Sequence, residues 1–419
     1  MHERTGMTRR EMLGVAAATG AGLVLGRSAL GETNDSGGDE LNVALIGAGT
    51  QGRNLLMQCL KIPGVRFRAV CDIWPFHQKY ASAILKRFGQ PVSVHEDWRE
   101  MLSKAKSLDA AIVATPDWMH AEHAIGCLKA GLAVYCEKPM ALTAADARAM
   151  VKAAREAGKV LQIGTQRRSD PRYHAARKAV SDITHVNGHW NRPGRVEAGW
   201  PRKYELDATV LKKYGYDSMQ EFRNWRWWRK YSGGPIGDVG SHQIDVFNWF
   251  LDATPACISA HGGRRDYYKE GNCCDNVLAV LDYPTEAGTV RAFYQAINSS
   301  SFGGDHEAFL GDKGTLVISQ NRGKGHIVRE KHAPPAAWAD KAKREDFMGQ
   351  QAIKLEAEFD PKIPTHRYHL LNFFAAVRGE AKASCPAETA FRTAVTTIKI
   401  RQAIASEGKL NLGPEDFKV

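Results

Sequence analysis

The stretch GGPIGDVGSHQIDVFNWFL, Gly233 to Leu251, sets ionisable side chains into an apolar helix. Asp238 and His242 stand four apart, and Asp245 follows three further on. Positions i and i+4 share one helix face. Ile244, Val246, Phe247, Trp249, Phe250 and Leu251 predict that one side of the helix is buried. An imidazole titrates near neutrality and can take the proton of a hydroxyl. A carboxylate beside it can orient the ring or hold a substrate hydroxyl. The same residues also suit a helix without chemistry, with Asp238 as its cap and His242 packed beneath. What the rest of the chain brings to that face decides between the two.

The first half brings a dinucleotide. LNVALIGAGTQGRNLLMQCL is an apolar strand, a glycine-rich turn and a helix, with Gly47, Gly49 and Gly52 at the junction and Thr50 and Gln51 opening the helix. The first glycine permits a tight turn, the second lets a pyrophosphate approach the backbone, and the third lets helix and strand pack closely. The free N–H groups of the helix start then face the phosphates. A second strand, VRFRAVCD, ends in Asp72, twenty residues after Gly52. A carboxylate there accepts ribose hydroxyls and repels a 2′-phosphate, which predicts NAD rather than NADP. Arg68 and Lys79 are its nearest cations along the chain.

Strand and helix patterns then alternate through DAAIVATP, MHAEHAIGCLKAG, LAVYCEKP, TAADARAMVKAAREAG and KVLQIGTQRR. That alternation predicts a doubly wound parallel sheet, with ligands at the carboxyl ends of its strands. Thr115, Pro116 and His120, then Glu137 and Lys138, then Gln166, Arg167 and Arg168 fall at those ends. Together with the glycine-rich turn and Asp72 they form the expected cofactor rim. Arg168 is the one not assigned a contact.

VATPDWMH, AGLAVYCEKP and GGPIGDVGSHQID together resemble the Gfo/Idh/MocA oxidoreductases. The resemblance spans about residues 40 to 318, with a weaker echo in HLLNFFAAVRGEAKASCPAETA. It implies an α/β fold: an N-terminal Rossmann domain, expected over 40–165, and a C-terminal α/β domain with an open, mostly antiparallel sheet, expected over 166–419. The segments CDNVLAVLDYP, GTVRAFYQAIN and GTLVISQ alternate as strands of that sheet. The family's E-K-P lysine matches Lys138, and its D-x-x-x-H pair matches Asp238 and His242. On this footing His242 is the expected base, Lys138 the electrostatic partner of the reacting oxygen, and Asp238 the residue that orients the pair. Asp245 is expected to bind substrate or to fix the His242 tautomer, and Arg167 and Trp228 to contact substrate. No metal site is expected, because neither HExxH nor clustered Cys/His spacing is present.

The 419 residues allow two or three domains. TRREMLGVAAATGAGLVLG carries paired Arg9 and Arg10 before a short apolar run, Val15 to Leu25, followed by the polar GETNDSGGDE. This order predicts a twin-arginine export signal over about residues 1–30 and a periplasmic protein with no membrane anchor once the signal is removed. The net charge of +11 comes without a nucleic-acid motif; it implies solubility and permits an anionic ligand. The eight cysteines show no spaced framework. Cys59, Cys71, Cys127 and Cys136 are expected as buried thiols, and adjacent Cys273 and Cys274 as thiols on opposite strand faces.

An insertion over 191–231 is rich in Trp, Tyr, Arg and Lys and leads directly into the Asp238 helix. It predicts a lid or a subunit arm rather than a nucleic-acid surface. NRGKGHIVREKHAPPAAWADKAKRED is expected as an exposed loop or helix. An open sheet must cover its apolar face, and the resemblance implies that it does so by oligomerising, so a homodimer or homotetramer is expected. The expected activity is an exported NAD-dependent oxidation of a sugar, sugar derivative or polyol. The alternative is a redox-neutral glycosidase or lyase acting through a transient keto-sugar. A protein holding NAD only as a structural ligand fits the Lys138, Asp238 and His242 set less well.

Overall fold

The computed structural model describes residues 40–193, 197–265, 270–321, 323–333 and 343–419. The expected export signal, including Arg9 and Arg10, lies outside the described residues. The first sheet contains β1 (Leu41–Ile46), β2 (Val65–Cys71), β3 (Ser93–His95), β4 (Ala110–Val113), β5 (Ala133–Cys136) and β6 (Leu161–Ile163). Their order is β3-β2-β1-β4-β5-β6, all parallel. β4 and β5 are buried along their whole length because helices cover both faces, which is why they read as unbroken apolar runs. Strand order reverses between β1 and β4, and the crevice at that switch point opens beside Gly47.

The second sheet has ten strands: β7 (Ile183–Asn191), β8 (Cys257–Gly263), β9 (Asn276–Thr285), β10 (Gly288–Ile297), β11 (Asp305–Gly311), β12 (Gly314–Ile318), β13 (Gly325–Arg329), β14 (Arg344–Phe347), β15 (Gln350–Lys354) and β16 (Lys409–Asn411). The order is β14-β15-β13-β12-β11-β7-β10-β9-β8-β16, and only β7 with β10 is parallel. In β9 and β10 every second residue is buried, so one face packs and the other is open. Val277, Ala279, Leu281, Ala292 and Tyr294 share a core with Ile244, Val246 and Phe247 of the Ser241–Leu251 helix.

Two expectations need correcting. The polar stretch 321–346 is not wholly loop or helix, because it contains β13 and the start of β14. His326 and Ile327 are buried there, but the surrounding charges hide the strand pattern; 334–342 lie outside the described residues. Cys273 and Cys274 are free thiols in the loop before β9, not on a strand. That loop is tied down by the N–H groups of Asn272 and Cys273, which both donate to Trp227 O, at 2.8 and 2.9 Å.

Two helices of 166–419 also pack on the first sheet. The Thr365–Val377 helix puts Leu370, Phe373 and Phe374 into the same core as β1 and β2. The Ala387–Ser406 helix packs Phe391 and Val395 on the other side of the first sheet and Ile400 and Ala403 against the second. Among the described residues no helix is long and apolar enough to cross a membrane.

Candidate active site

The glycine-rich turn is shaped as a cradle. Gly47 has φ +88°, and a Cβ there would lie 2.7 Å from the Ala114 backbone. At Gly52 a Cβ would stand 1.9 Å from Gly47 O, so that glycine serves helix–strand packing and does not line the cavity. Gly49 differs: a Cβ there would meet only His77 Cε1 at 3.7 Å. Packing does not demand glycine at that point, and the open backbone suits an approaching pyrophosphate. Thr50 and Gln51 start the Thr50–Cys59 helix against the same space.

Asp72 is held ready at the end of β2. Its Oδ2 accepts from Ala48 N at 2.7 Å and lies 3.2 Å from His77 Nδ1, and its Oδ1 accepts from Trp74 N at 2.9 Å. A carboxylate offers about four acceptor positions, so about one remains for a ribose hydroxyl, fewer than the pair of hydroxyls expected. Two arginines distant in sequence act electrostatically on Asp72. They are Arg53, whose Nη1 donates to Ala48 O at 2.6 Å, and Arg223, which lies over the Trp74 ring at 4.7 Å. Gly47, Gly49 and Asp72 fit the adenosine and pyrophosphate half of NAD.

The other half of the cavity, about 1090 Å³ in all, receives Lys138, Asp238 and His242. Lys138 follows β5. Its Nζ donates to Asp238 O and lies 3.4 Å from Asp238 Oδ1. Asp238 sits in a π-helical turn, Ile236–Gly240, and His242 in the first α turn after it. The expected α-helix therefore starts with a wider turn, a device often found at functional sites. It fits because Gly240 lets Tyr294 and Ile236 close in; a Cβ there would sit 2.5 Å from Ile236 Cδ1.

His242 is buried, and its ring stacks near Trp190 at 6.0 Å between centroids. Burial first, then the charges of Lys138 and Arg167, hold its pKa well below 6.5, so the imidazole is neutral near pH 7. A neutral imidazole between a lysine and an open cavity can accept a hydroxyl proton.

Residues 41–165 match the family described as "Oxidoreductase family, NAD-binding Rossmann fold", and residues 207–412 match "Oxidoreductase family, C-terminal alpha/beta domain". The chain belongs to the Gfo/Idh/MocA family. It is an NAD-dependent oxidoreductase. Among curated relatives, inositol 2-dehydrogenase of Rubrobacter xylanophilus is 34% identical over 296 residues, 70% of this chain and 74% of that one. Inositol 2-dehydrogenase of Paracoccus denitrificans is 29% identical over 51% of this chain and 54% of its own.

Two solved structures share the fold. The WlbA dehydrogenase from Bordetella pertussis, crystallised with NADH and UDP-GlcNAcA, has a TM-score of 0.66 at 20% identity, covering 89% of this chain and 99% of that one. The aldose-aldose oxidoreductase from Caulobacter crescentus, complexed with glycerol, has a TM-score of 0.67 at 19% identity, covering 89% and 100%.

Within this family fold the remaining site expectations divide. Thr115, Pro116, Glu137 and Gln166 line the cavity. Glu137 Oε1 accepts from Gln51 Nε2 at 2.9 Å, and Gln166 Nε2 reaches Gln320 Oε1 at 3.4 Å. His120 also lines it, but its ring nitrogens lie 2.7 and 2.8 Å from Pro139 O and Thr115 O, so it braces two loops.

Arg167, Asp245 and Trp228 are not cavity residues. Arg167 points the opposite way from Gln166, into the interior, where it pairs with Glu307 beneath Tyr173 and Trp190. Asp245 is fully buried; it accepts from Arg168 Nε at 2.7 Å and Thr393 Oγ1 at 2.9 Å. It does not fix His242, whose Nδ1 has no hydrogen-bond partner among the described residues. Trp228 stacks on Trp227.

The insertion is a strap rather than an arm reaching away. Leu211, Tyr216, Met219, Phe222 and Tyr231 form a separate core with Trp74 of the first domain. Trp74 Nε1 donates to Tyr204 O at 2.5 Å, and Tyr214 OH to Glu96 at 2.6 Å. Tyr216, Phe222, Arg223, Trp225 and Arg226 then face the cavity opposite Asp72 and Lys138. Sequence reading missed Trp190, Arg192, Arg226, Gln320 and His366 as lining residues. A basic residue near an aromatic, as in WNR and WRWW, is the signal the sequence holds for Trp190, Arg192 and Arg226. Among the described residues no three His, Cys, Asp or Glu side chains gather as metal ligands.

Proposed function

We propose that the protein is an exported dehydrogenase that oxidises a secondary alcohol of a sugar, sugar derivative or polyol, using NAD that stays bound between turnovers. The observation that carries this reading is that Lys138, Asp238 and His242 line the same cavity as Gly47, Gly49 and Asp72. Held at Gly47, Gly49 and Asp72, NAD would supply the acceptor for the hydride of the carbinol carbon. The chain handles the proton and the charge. His242, neutral through burial, accepts the hydroxyl proton as the carbonyl forms. Lys138 donates a hydrogen bond to the same oxygen and stabilises its developing charge, while Asp238 anchors the lysine. The inositol dehydrogenases among the relatives support a polyol or sugar as substrate.

Retention is supported by the strap, which closes over the adenosine side through its own core. The Arg9–Arg10 segment supports twin-arginine export of a folded, cofactor-loaded protein to the periplasm. Free NAD is scarce there, so the cycle restores the cofactor on the enzyme. It does so with a second substrate as acceptor or, in the alternative reading, by redox-neutral cleavage of a glycoside. Leu278, Val280 and Phe293, all at least 36% exposed on the open face of β9 and β10, favour a homo-oligomer built on that face.

The test is to dialyse the exported protein, release its nucleotide by denaturation, and assay inositols, sugars and glycosides without added NAD. Bound NAD and turnover are expected, and His242→Ala should lower turnover about a hundredfold or more while NAD stays bound. A protein isolated empty and active only with supplied NAD would overturn retention. Native turnover by His242→Ala would overturn the proton route.

A further inference from the structure

We propose that the sugar carries a carboxylate, as a hexuronate does, and that Arg226 of the strap binds it; this rests on the reading that the cleft takes a sugar. Asp238 is the meeting point of three cations among the described residues. Lys138 comes from the end of β5, Arg192 from beyond β7, and Arg226 from the strap. Lys138 and Arg192 are committed: Lys138 to Asp238 O and Oδ1, Arg192 to Asn298 Oδ1 at 2.8 Å and Asp238 Oδ2 at 2.9 Å.

Arg226 is less engaged. Its Nε reaches Asp238 Oδ1 only at 3.4 Å, its guanidinium lies over the Trp225 ring at 4.0 Å, and its side chain is 32% exposed in the cavity wall. A guanidinium seated on an aromatic face keeps a two-pronged N–H edge suited to a carboxylate.

Two other carboxylates near this end each accept a hydrogen bond from another part of the chain. Glu137 takes the Gln51 amide, and Asp117 accepts Gly233 N at 3.0 Å. Burial raises the pKa of Asp117, and the charges of His120 and Arg226 oppose that rise. The nearby imidazoles of His242 and His366 are held neutral by burial and add no charge. A neutral polyol would leave Arg226 with only its long contact to Asp238, at 3.4 Å.

The spacing suits one small ligand. Lys138 Nζ and Arg226 Nε each lie 3.4 Å from Asp238 Oδ1, so no more than twice that distance separates them. The ring of a hexuronate spans such a gap, with a hydroxyl at Lys138 and His242 and its carboxylate at Arg226.

The test uses the NAD-loaded protein and matched pairs of hexose and hexuronate: glucose with glucuronate, galactose with galacturonate, mannose with mannuronate. Binding is read from tryptophan fluorescence, since Trp190 and Trp225 line the site. Oxidation is read separately from nicotinamide absorbance. At least one hexuronate should bind about tenfold or more tighter than its hexose. Arg226→Gln should abolish that preference and Arg226→Lys should keep part of it, which separates charge recognition from a folding defect. Equal binding of every pair, a preference that survives Arg226→Gln, or glucose 6-phosphate outcompeting all hexuronates would overturn the proposal. A hexuronate that binds selectively without being oxidised would instead count against the dehydrogenase reading and leave this site standing.

Discussion

Loosening the strap without touching the cavity should free the cofactor. Leu211 is 3% exposed in the core shared with Trp74, Met219 and Phe222, and it does not line the cavity. Replacing a buried leucine by alanine costs about 3 kcal/mol. If NAD leaves only when the strap lifts, that cost passes into the opening equilibrium. At about 1.4 kcal/mol per factor of ten, Leu211→Ala should release NADH about a hundredfold faster. The contrast is Lys213, whose ion pair to Glu96 at 2.9 Å also joins strap to first domain but is solvent-exposed. Such pairs are screened, so Lys213→Ala should change release by less than about fivefold. The assay is loss of bound-NADH fluorescence on chasing with excess NAD, with limited trypsin digestion reporting strap opening. If Leu211→Ala speeds cleavage within 198–231 yet releases NADH at the native rate, the strap does not gate the cofactor.

Three further outcomes follow from the same geometry. Because the pKa of His242 lies below 6.5, the acid limb of kcat/KM should fall below that pH, and Lys138→Met should move it upward by removing a charge that opposes the imidazolium, at a lower maximal rate. A native limb at or above 6.5, or no movement in the variant, would contradict the assignment. Asp72→Ser should weaken NAD binding and improve NADP binding, since Arg53 and Arg223 remain without the carboxylate; dissociation constants for both cofactors check this. Burial lowers the pKa of His123 to about 3 and of His369 to about 4, so as pH falls the unfolded chain binds protons first. Their contribution to stability is complete above pH 6.5 and is lost as pH falls through the folded-state values. The melting temperature should therefore drop steadily below pH 6.5, and a constant value from pH 7 down to 4 would refute it.

Local chemistry made the first half readable. β1, the glycine turn and its helix are consecutive, and each glycine has a backbone reason that spacing reveals. Asp72 was legible because the strand that carries it ends where its neighbour begins to bind. Direction was not legible. Gln166 and Arg167 are adjacent, yet one lines the cavity and the other is turned inward to Glu307, a partner 140 residues away. Asp245 stands one turn beyond His242 but answers to Arg168 and Thr393 from elements that no spacing rule connects. In the strap, composition announced a cover. Which aromatic faces inward depends on the core around Trp74, so Trp225 lines the cavity and Trp228 does not.

The site's charge balance was the least visible of all. Asp238 draws Lys138 from the first domain, Arg192 from beyond β7 and Arg226 from the strap onto one carboxylate. A buried carboxylate needs such partners, and here they come from the first domain and from both ends of the insertion. The contacts that hold those parts together are thus the contacts that orient the chemistry. Spacing within one helix could reveal Asp238 and His242, but Arg192 and Arg226 reach Asp238 only when the chain has folded around it.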